Sequence, residues 1–293
     1  MHFFRDSCAN SVIDSSLLPF TLRASAIAPC IALAPRACPM SEASALGTVG
    51  GCGGHAGHIC FHEKITIFRG ALMLKAVTRS KQGERSSNNE DSIFAFTSAG
   101  LFAVADGVGG GPAGEQASKL TVNTICQHLS SCQTSQSEIL AAIDAANANV
   151  LDHALKTRQQ GMACTLSLAW ISDNQLTCFN IGDSRIYQLR QENLSQLTVD
   201  HIIEKKIHGR LKRYVTNVIG IENSPGAEIT KFSWQDGDTL LLMSDGISDK
   251  LLDHRLEEIC NDKQSFMIDK ANKMIEEATI NGNTDDKTII IVF

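Results

Sequence analysis

Four aspartates adjoin runs of apolar residues that are typical of buried strands, and this arrangement constrains the fold more than any other feature. They are Asp91, Asp106, Asp245 and Asp285. A carboxylate at the end of a buried strand is unfavourable unless it is paired, hydrogen-bonded or bound to a cation. No matching set of basic residues lies beside these aspartates in the sequence. We therefore expect a site for hard divalent ions, and ligation by oxygen alone suits Mg²⁺ or Mn²⁺ rather than zinc.

The apolar pattern predicts adjacent antiparallel strand pairs and two blocks of helices. Strands are predicted at 72–77, 92–97, 101–105, 165–170, 176–181, 185–189, 228–234, 239–243 and 288–293. Helices are predicted at 113–129, 255–260 and 265–278. A further helix is predicted to begin at the capping box 135–138. A turn at 98–100 joins the second and third strands, and a turn at 235–238 joins strands 228–234 and 239–243 as a further pair. This order predicts an α+β fold with packed sheets and outer helices, rather than an alternating Rossmann order.

Composition excludes several classes of protein. The chain has 293 residues, of which 43% are hydrophobic and 20% charged, as is ordinary for globular proteins. The net charge of −6 argues against a nucleic-acid or anionic-membrane binder, which usually carries a basic patch. The sequence has no run of about eighteen uncharged apolar residues, so we expect no membrane span. The cysteines after residue 73 lie in apolar or helical contexts, which is typical of a reduced cytoplasmic protein.

Residues 1–72 differ in character from the rest of the chain. They lack a sustained helical or alternating period and contain a glycine-rich run at 50–54, so we expect a disordered or non-native extension before a domain at 73–293. The mildly apolar stretch 17–34 leaves a secretory signal open. Cysteines and histidines at 52–62 leave a metal cluster open, although the usual zinc frame is missing. Natural translation from Met73 is a further alternative.

Seven motifs from residue 89 onward occur in the order found in a known enzyme family. They are Asn-Glu-Asp-Ser at 89–92, Ala-Asp-Gly-Val-Gly-Gly at 105–110, Gly-Met-Ala-Cys-Thr at 161–165, Ile-Gly-Asp-Ser-Arg-Ile-Tyr at 181–187, Leu-Thr-Val-Asp-His at 197–201, Ser-Asp-Gly-Ile-Ser-Asp at 244–249 and Asp-Asp-Lys-Thr at 285–288. With these motifs the chain resembles the metal-dependent protein phosphatases of type 2C, in their compact bacterial form. The resemblance covers residues 73–293.

This resemblance implies a central antiparallel β-sandwich flanked by helix pairs, with a centre of two Mn²⁺ or Mg²⁺ ions at one end. By motif position the metal ligands are Asp91, Asp106, the carbonyl of Gly107, Asp245 and Asp285. Among them Asp106, Asp245 and Asp285 are the catalytic residues, and Glu90 supports metal-bound waters nearby. A hydroxide that bridges the two ions would attack the phosphorus of phosphoserine or phosphothreonine.

The chain departs from the family pattern at several positions. The family's phosphate-binding arginine usually lies five residues before the first aspartate, whereas Arg85 lies six residues before Asp91. The role therefore falls to Arg85 across an insertion, or to Arg79, and either guanidinium suits a phosphate. Asp286 replaces the more usual asparagine, which adds negative charge beside the site.

The resemblance also implies a third, weaker metal position and a substrate-selecting flap. Asp183 and Asp249 are the expected ligands of the third ion. The flap is expected at about 191–225, where lysines and arginines make the chain locally basic and suited to acidic phosphosegments. The implied partners are phosphoproteins made by a serine/threonine kinase, with no nucleic acid and no membrane, and the expected enzyme is a cytoplasmic monomer.

Two other functions stay open from the sequence. A catalytically weak relative would use the same fold to bind phosphoproteins, although retention of every ligand aspartate argues against it. The glycines at 107–111 would alternatively form a nucleotide-phosphate cradle. That stretch lacks both the Gly-Lys-Ser/Thr ending of a P-loop and the spacing of a dinucleotide site.

Overall fold

The computed structural model describes residues 74–85, 87–108, 112–130, 134–207 and 209–293. All predictions for residues 1–72 lie outside this part of the chain. In the described residues the strands are, in chain order, β1 (Ala76–Lys81), β2 (Ser92–Phe96), β3 (Leu101–Ala105), β4 (Gly107–Val108), β5 (Ala163–Cys164), β6 (Leu166–Ser172), β7 (Gln175–Ile181), β8 (Arg185–Arg190), β9 (Asn193–Gln196), β10 (Ile202–Ile207), β11 (Arg210–Val215), β12 (Glu228–Ser233), β13 (Thr239–Met243) and β14 (Lys287–Val292). The α-helices there are α1 (Pro112–Ser130), α2 (Gln136–Thr157), α3 (Asp245–Ser248), α4 (Asp253–Asn261) and α5 (Met267–Ile280).

Two five-stranded antiparallel sheets form the centre of this part of the chain. One sheet has the order β1-β14-β13-β8-β9, and the other has the order β12-β7-β6-β3-β2. Side chains alternate between the two faces of each strand. Leu240 and Leu242 of β13 accordingly pack with Phe102 and Val104 of β3 between the sheets. The neighbouring Leu241 faces the helices instead, which explains why β13 is an unbroken apolar run.

Helices cover the outer face of each sheet, as expected for the predicted α+β sandwich. Helices α1 and α2 pack with the outward residues of β3, β6 and β7. Helices α3, α4 and α5 pack with those of β13 and β14. Ser135 caps α2, because its hydroxyl oxygen accepts a hydrogen bond from the amide of Glu138 at 3.2 Å. None of the helices in the described ranges is long and apolar enough to cross a membrane.

Two sequence predictions are corrected by the sheet topology. The run 228–243 is not a hairpin within one sheet, because β12 pairs with β7 and β13 pairs with β8 and β14. Trp234 is buried between the sheets at this crossing, so the turn links two layers. Of the predicted strand 72–77, residues 72 and 73 lie outside the described part, and the first described strand begins at Ala76 and pairs with β14 along the sheet edge. Of the predicted flap 191–225, β9 belongs to a sandwich sheet. The segment that forms a separate two-stranded sheet is β10 and β11.

Candidate metal centre

Strand ends carry the predicted aspartates to one end of the sandwich. Asp91 directly precedes β2, and Asp106 directly follows β3, its antiparallel neighbour. Asp245 follows β13 after one residue, and Asp285 lies just before β14, again an antiparallel neighbour. The start of a strand lies opposite the end of its antiparallel partner, so the two aspartates of each pair share one end of their sheet. Asp183 lies between β7 and β8, at the start of the strand that pairs with β13.

Electrostatic repulsion links the carboxylates of the two sheets. Burial raises the pKa of Asp106 well above its usual range, and repulsion from Asp91, Asp245 and Asp285 raises it further. Burial likewise raises the pKa of Asp91 to about 7 and that of Asp245 to about 8, with neighbouring aspartates adding to both shifts. A nearby cation would stabilise the ionised form of such a cluster.

Two fully buried oxygens of this cluster have no hydrogen-bond partner. Asp91 Oδ2 accepts a hydrogen bond from Ser244 Oγ at 2.9 Å, whereas Asp91 Oδ1 and Asp245 Oδ1 are buried without one. A buried, unpartnered carboxylate oxygen is the donor type that Mg²⁺ and Mn²⁺ take, so these residues fit the implied ions. In the described ranges, no three acidic, histidine or cysteine side chains lie close enough together to hold a metal ion as they stand. Mutual repulsion opposes a closer approach, and a cation would favour it.

Glycines follow two of the aspartates because the backbone is crowded there. A Cβ on Gly107 would lie 2.4 Å from a backbone atom of Gly114 in the first turn of α1. A Cβ on Gly246 would lie only 1.7 Å from the carbonyl oxygen of Asp286. Glu90 packs into the same first turn, since a Cβ on Gly114 would lie 2.8 Å from Glu90 Oε2. The two Asp-Gly pairs therefore bring main chain to the site where a side chain would exclude it.

Of the two candidate arginines, Arg85 faces the carboxylates and Arg79 faces elsewhere. Arg85 Nη1 lies 2.5 Å from Asp285 Oδ2. Attraction to Asp285 raises the pKa of Arg85, and Asp245 and Asp106 contribute to the same shift. Arg79 instead donates to Asn272 Oδ1 of α5 at 3.0 Å. The side chain of Arg85 is 57% exposed, so it is accessible to a ligand from solvent.

Asp183 and Asp249, the predicted ligands of a third ion, lie beside the base of the β10–β11 hairpin. Burial raises the pKa of Asp183 to about 6, with Arg213 opposing and Asp249 adding to the shift. Arg213 of β11 lies 2.5 Å from Asp249 Oδ1 and 3.5 Å from Asp200 Oδ2. One guanidinium of the hairpin therefore supplies positive charge at the position predicted for the third ion.

Sequence reasoning missed several residues that shape the site. Ser244 binds Asp91 through its hydroxyl and accepts a hydrogen bond from the amide of Thr288 at 3.0 Å. Lys287 is 2% exposed and donates to the carbonyl of Asp285 at 2.6 Å. The adjacency of Ser244 and Lys287 to the motif aspartates was the one available signal. Arg213 lies in the basic flap sequence, but nothing local to it indicated an aspartate partner.

A family model described as Protein phosphatase 2C matches residues 80–278, which is more than half of the chain. The chain belongs to the protein phosphatase 2C family. The match spans the sheet β12-β7-β6-β3-β2, the β10–β11 hairpin and most of the helices described above, whereas β14 of the other sheet lies beyond it. The sequence prediction of family and fold is confirmed.

The chain is similar in sequence to bacterial proteins that are named serine/threonine phosphatases. The chain is 32% identical over 241 residues to PstP of Mycobacterium tuberculosis, covering 76% of this chain but 45% of that protein. It is 27% identical over 241 residues to the stp phosphatase of Listeria monocytogenes, covering 75% of this chain and 95% of that protein. The chain thus spans about half of the first relative and nearly all of the second.

The fold of this chain resembles that of a solved phosphatase structure over most of its length. That structure is the catalytic domain of a serine/threonine protein phosphatase PstP in complex with two manganese ions, which aligns with a TM-score of 0.63 at 29% identity. The alignment covers 75% of this chain and 97% of that structure.

Proposed function

We propose that this chain hydrolyses phosphoserine and phosphothreonine in proteins with two Mn²⁺ or Mg²⁺ ions. The observation that carries the proposal is the pair of buried, unpartnered oxygens on Asp91 and Asp245, inside a cluster whose pKa values are raised by burial and further by mutual repulsion. The named relatives are serine/threonine phosphatases, and a similar structure holds two manganese ions. Both findings support the same chemistry.

Each residue of the site has a proposed part in the reaction. The carboxylates of Asp91, Asp106, Asp245 and Asp285, with the carbonyl of Gly107, would hold the two ions, and Glu90 would support their waters. When bound, the ions supply an activated water as the nucleophile and neutralise charge on the phosphate. Arg85 would release Asp285 and bind two phosphate oxygens through its planar guanidinium, which orients the phosphorus toward that water.

Several finer properties belong to the same proposal. Asp183 and Asp249 would hold a third, weaker ion beside the hairpin, where few protein ligands imply easy exchange. The substrates would be proteins phosphorylated by a serine/threonine kinase, met by a monomer in the bacterial cytoplasm without nucleic-acid or membrane partners. The free thiols of Cys126, Cys164, Cys178 and Cys260 in the described residues support a reducing compartment.

The test is metal-dependent turnover of a phosphothreonine peptide. We expect hydrolysis with Mn²⁺, none with chelator, and a turnover number at least about a hundredfold lower in Asp106→Asn at saturating metal. Asp144→Asn on the exposed face of α2 is the matched control and should turn over as the wild type does. Near-normal turnover in Asp106→Asn would show that the metal centre lies elsewhere.

The same assay separates an enzyme from a phosphoprotein-binding relative of this fold. A binding module would retain the phosphopeptide at equilibrium and release no phosphate with either Mn²⁺ or chelator. If the wild-type chain bound the phosphopeptide but released no phosphate, the protein would be a phosphoprotein-binding module and not a hydrolase.

A further inference from the structure

One carboxylate fastens both ends of the loop between β1 and β2. Asp286 Oδ1 accepts a hydrogen bond from the amide of Gly83 at 2.7 Å. Asp286 Oδ2 accepts one from the amide of Glu90, also at 2.7 Å. Asp286 is only 3% exposed, so water competes little for its two carboxylate oxygens. The two donors bracket the residues that carry Arg85.

Only a carboxylate provides this pair of contacts. Asparagine, the more usual residue of the family at Asp286, has a single acceptor oxygen. Its amide group would present N–H to one of the two backbone N–H donors, so one end of the loop would be repelled. The charge of Asp286 is offset locally, because Asp285 and Asp286 both attract the ammonium of buried Lys287.

The loop has further contacts to the same segment, and these direct Arg85 into the site. The carbonyl of Thr284 accepts from the amides of Glu84 at 2.8 Å and Arg85 at 3.0 Å. The Arg85 guanidinium then reaches Asp285. The loop also has one residue more between its arginine and Asp91 than the usual family spacing. Without a fixed end at Glu90, the additional residue would let the arginine drift.

We propose that Asp286 is a positioning residue that holds this longer loop, and through it Arg85, at the place where the substrate phosphate binds. The inference rests on the proposed phosphatase function for the identity of the ligand. It assigns to Asp286 a role in phosphate binding rather than in metal ligation. The two departures from the family pattern, the longer loop and the aspartate, thereby have one physical cause.

The test compares Asp286→Asn with wild type in phosphate binding and in amide hydrogen exchange, with Mn²⁺ present. We expect the Gly83 and Glu90 amides to exchange at least about tenfold faster in the variant, because each loses protection when the clamp opens. The Kd for inorganic phosphate and the KM for a phosphopeptide should both rise roughly tenfold, as for loss of a charge-assisted hydrogen bond. The kcat and the Mn²⁺ affinity should stay within about twofold.

Asp238→Asn is the matched control. Asp238 is also buried, accepts from the amide of Gln235 in a turn, and lies at the opposite end of β13 from the site. Its substitution should leave phosphate affinity unchanged, which separates positioning from general loss of stability.

Three results would overturn the proposal. The first is unchanged phosphate affinity in folded Asp286→Asn, and the second is a loss of Mn²⁺ affinity or kcat at constant KM. The third is seen in the wild type without any variant, and it is exchange of the Gly83 and Glu90 amides as fast as that of the amide of exposed Ser87. Phosphate binding and exchange are read without turnover, so an inactive wild type would refute the phosphatase assignment while these data still decide the clamp.

Discussion

At the scale of single residues, the site aspartates place function in conflict with stability. Asp245 has one buried oxygen without a partner, and its pKa rises from 3.8 to about 8 on folding. Between these values the folded state holds a proton that the unfolded chain has released. Stability from this group is therefore full below about pH 4 and is lost as the pH rises toward 8. Bound Mn²⁺ would reverse that loss by stabilising the ionised form.

We accordingly expect Asp245→Asn to melt at a higher temperature than wild type in chelator at pH 8, because the variant has no carboxylate to ionise. The difference should shrink as the pH falls to 5, and Mn²⁺ should raise the melting temperature of wild type more than that of the variant. Calorimetric melting across pH 5–8 is the measurement, with Asp144→Asn as control. Parallel pH profiles for wild type and Asp245→Asn would refute this explanation of the cluster.

Arg85 and Arg79 form a natural pair for a second residue-scale prediction. Arg85→Gln should raise the KM for a phosphopeptide roughly tenfold or more, since a charge-assisted fork to phosphate is lost. Stability should change little, because the ion pair with Asp285 is solvent-exposed on the arginine side. Arg79→Gln, whose native partner is Asn272, should leave KM unchanged. A raised KM in Arg79→Gln together with an unchanged KM in Arg85→Gln would show that Arg79 is the arginine that binds phosphate.

At the scale of elements, periodicity predicted the buried strands and helices and failed at edges and crossings. β13 and the outer helices follow directly from apolar spacing. β1 is a sheet edge held by backbone pairing to β14, so its side chains carry little apolar signal. The sequence does not show whether β12 and β13 join the same sheet or different sheets, because a short turn can connect strands in either arrangement. Motif order predicted the aspartates that lie together at one end of the sandwich. The contacts of Arg213 and Asp286 depend on tertiary neighbours that no local pattern encodes.

The β10–β11 hairpin is the element with the clearest testable behaviour. Arg213 faces the sandwich through Asp249 and Asp200, whereas Lys212, adjacent on β11, is exposed. If the proposed third Mn²⁺ site exists, Arg213→Gln should raise its affinity about two- to fivefold, because the variant lacks the guanidinium that competes with the ion for Asp249. It should also speed proteolysis within the hairpin.

Calorimetric titration with Mn²⁺ gives the third-site affinity, and Lys212→Gln is the matched control of equal charge change. An equal gain in both variants would indicate a general field effect rather than competition at Asp249. No change in Arg213→Gln would place the third ion away from Asp183 and Asp249.

At the scale of the whole molecule, the described contacts of the sandwich begin near residue 75. Lys75 and Phe293 exchange backbone hydrogen bonds of 2.8 and 2.9 Å beyond the ends of β1 and β14. A chain that begins at Met73 retains both partners and every site residue. We expect it to melt within about 2 °C of the full chain and to have the same kcat, since the sequence before it lacks a core-forming pattern. Lower solubility or activity in the shortened chain would assign a structural role to residues 1–72.

The position of β14 has a consequence for biosynthesis. This strand lies between β1 and β13, and Ala76 pairs with Val292, so this sheet is complete only when β14 has joined both neighbours. Until then the nascent polypeptide exposes the unpaired edge of β13, five apolar or β-branched residues that are buried in the finished protein. Asp285 and Asp286 arrive with the same segment. We therefore expect ribosome-bound chains that lack β14 to need chaperone protection and to bind no Mn²⁺ at the proposed two-ion centre.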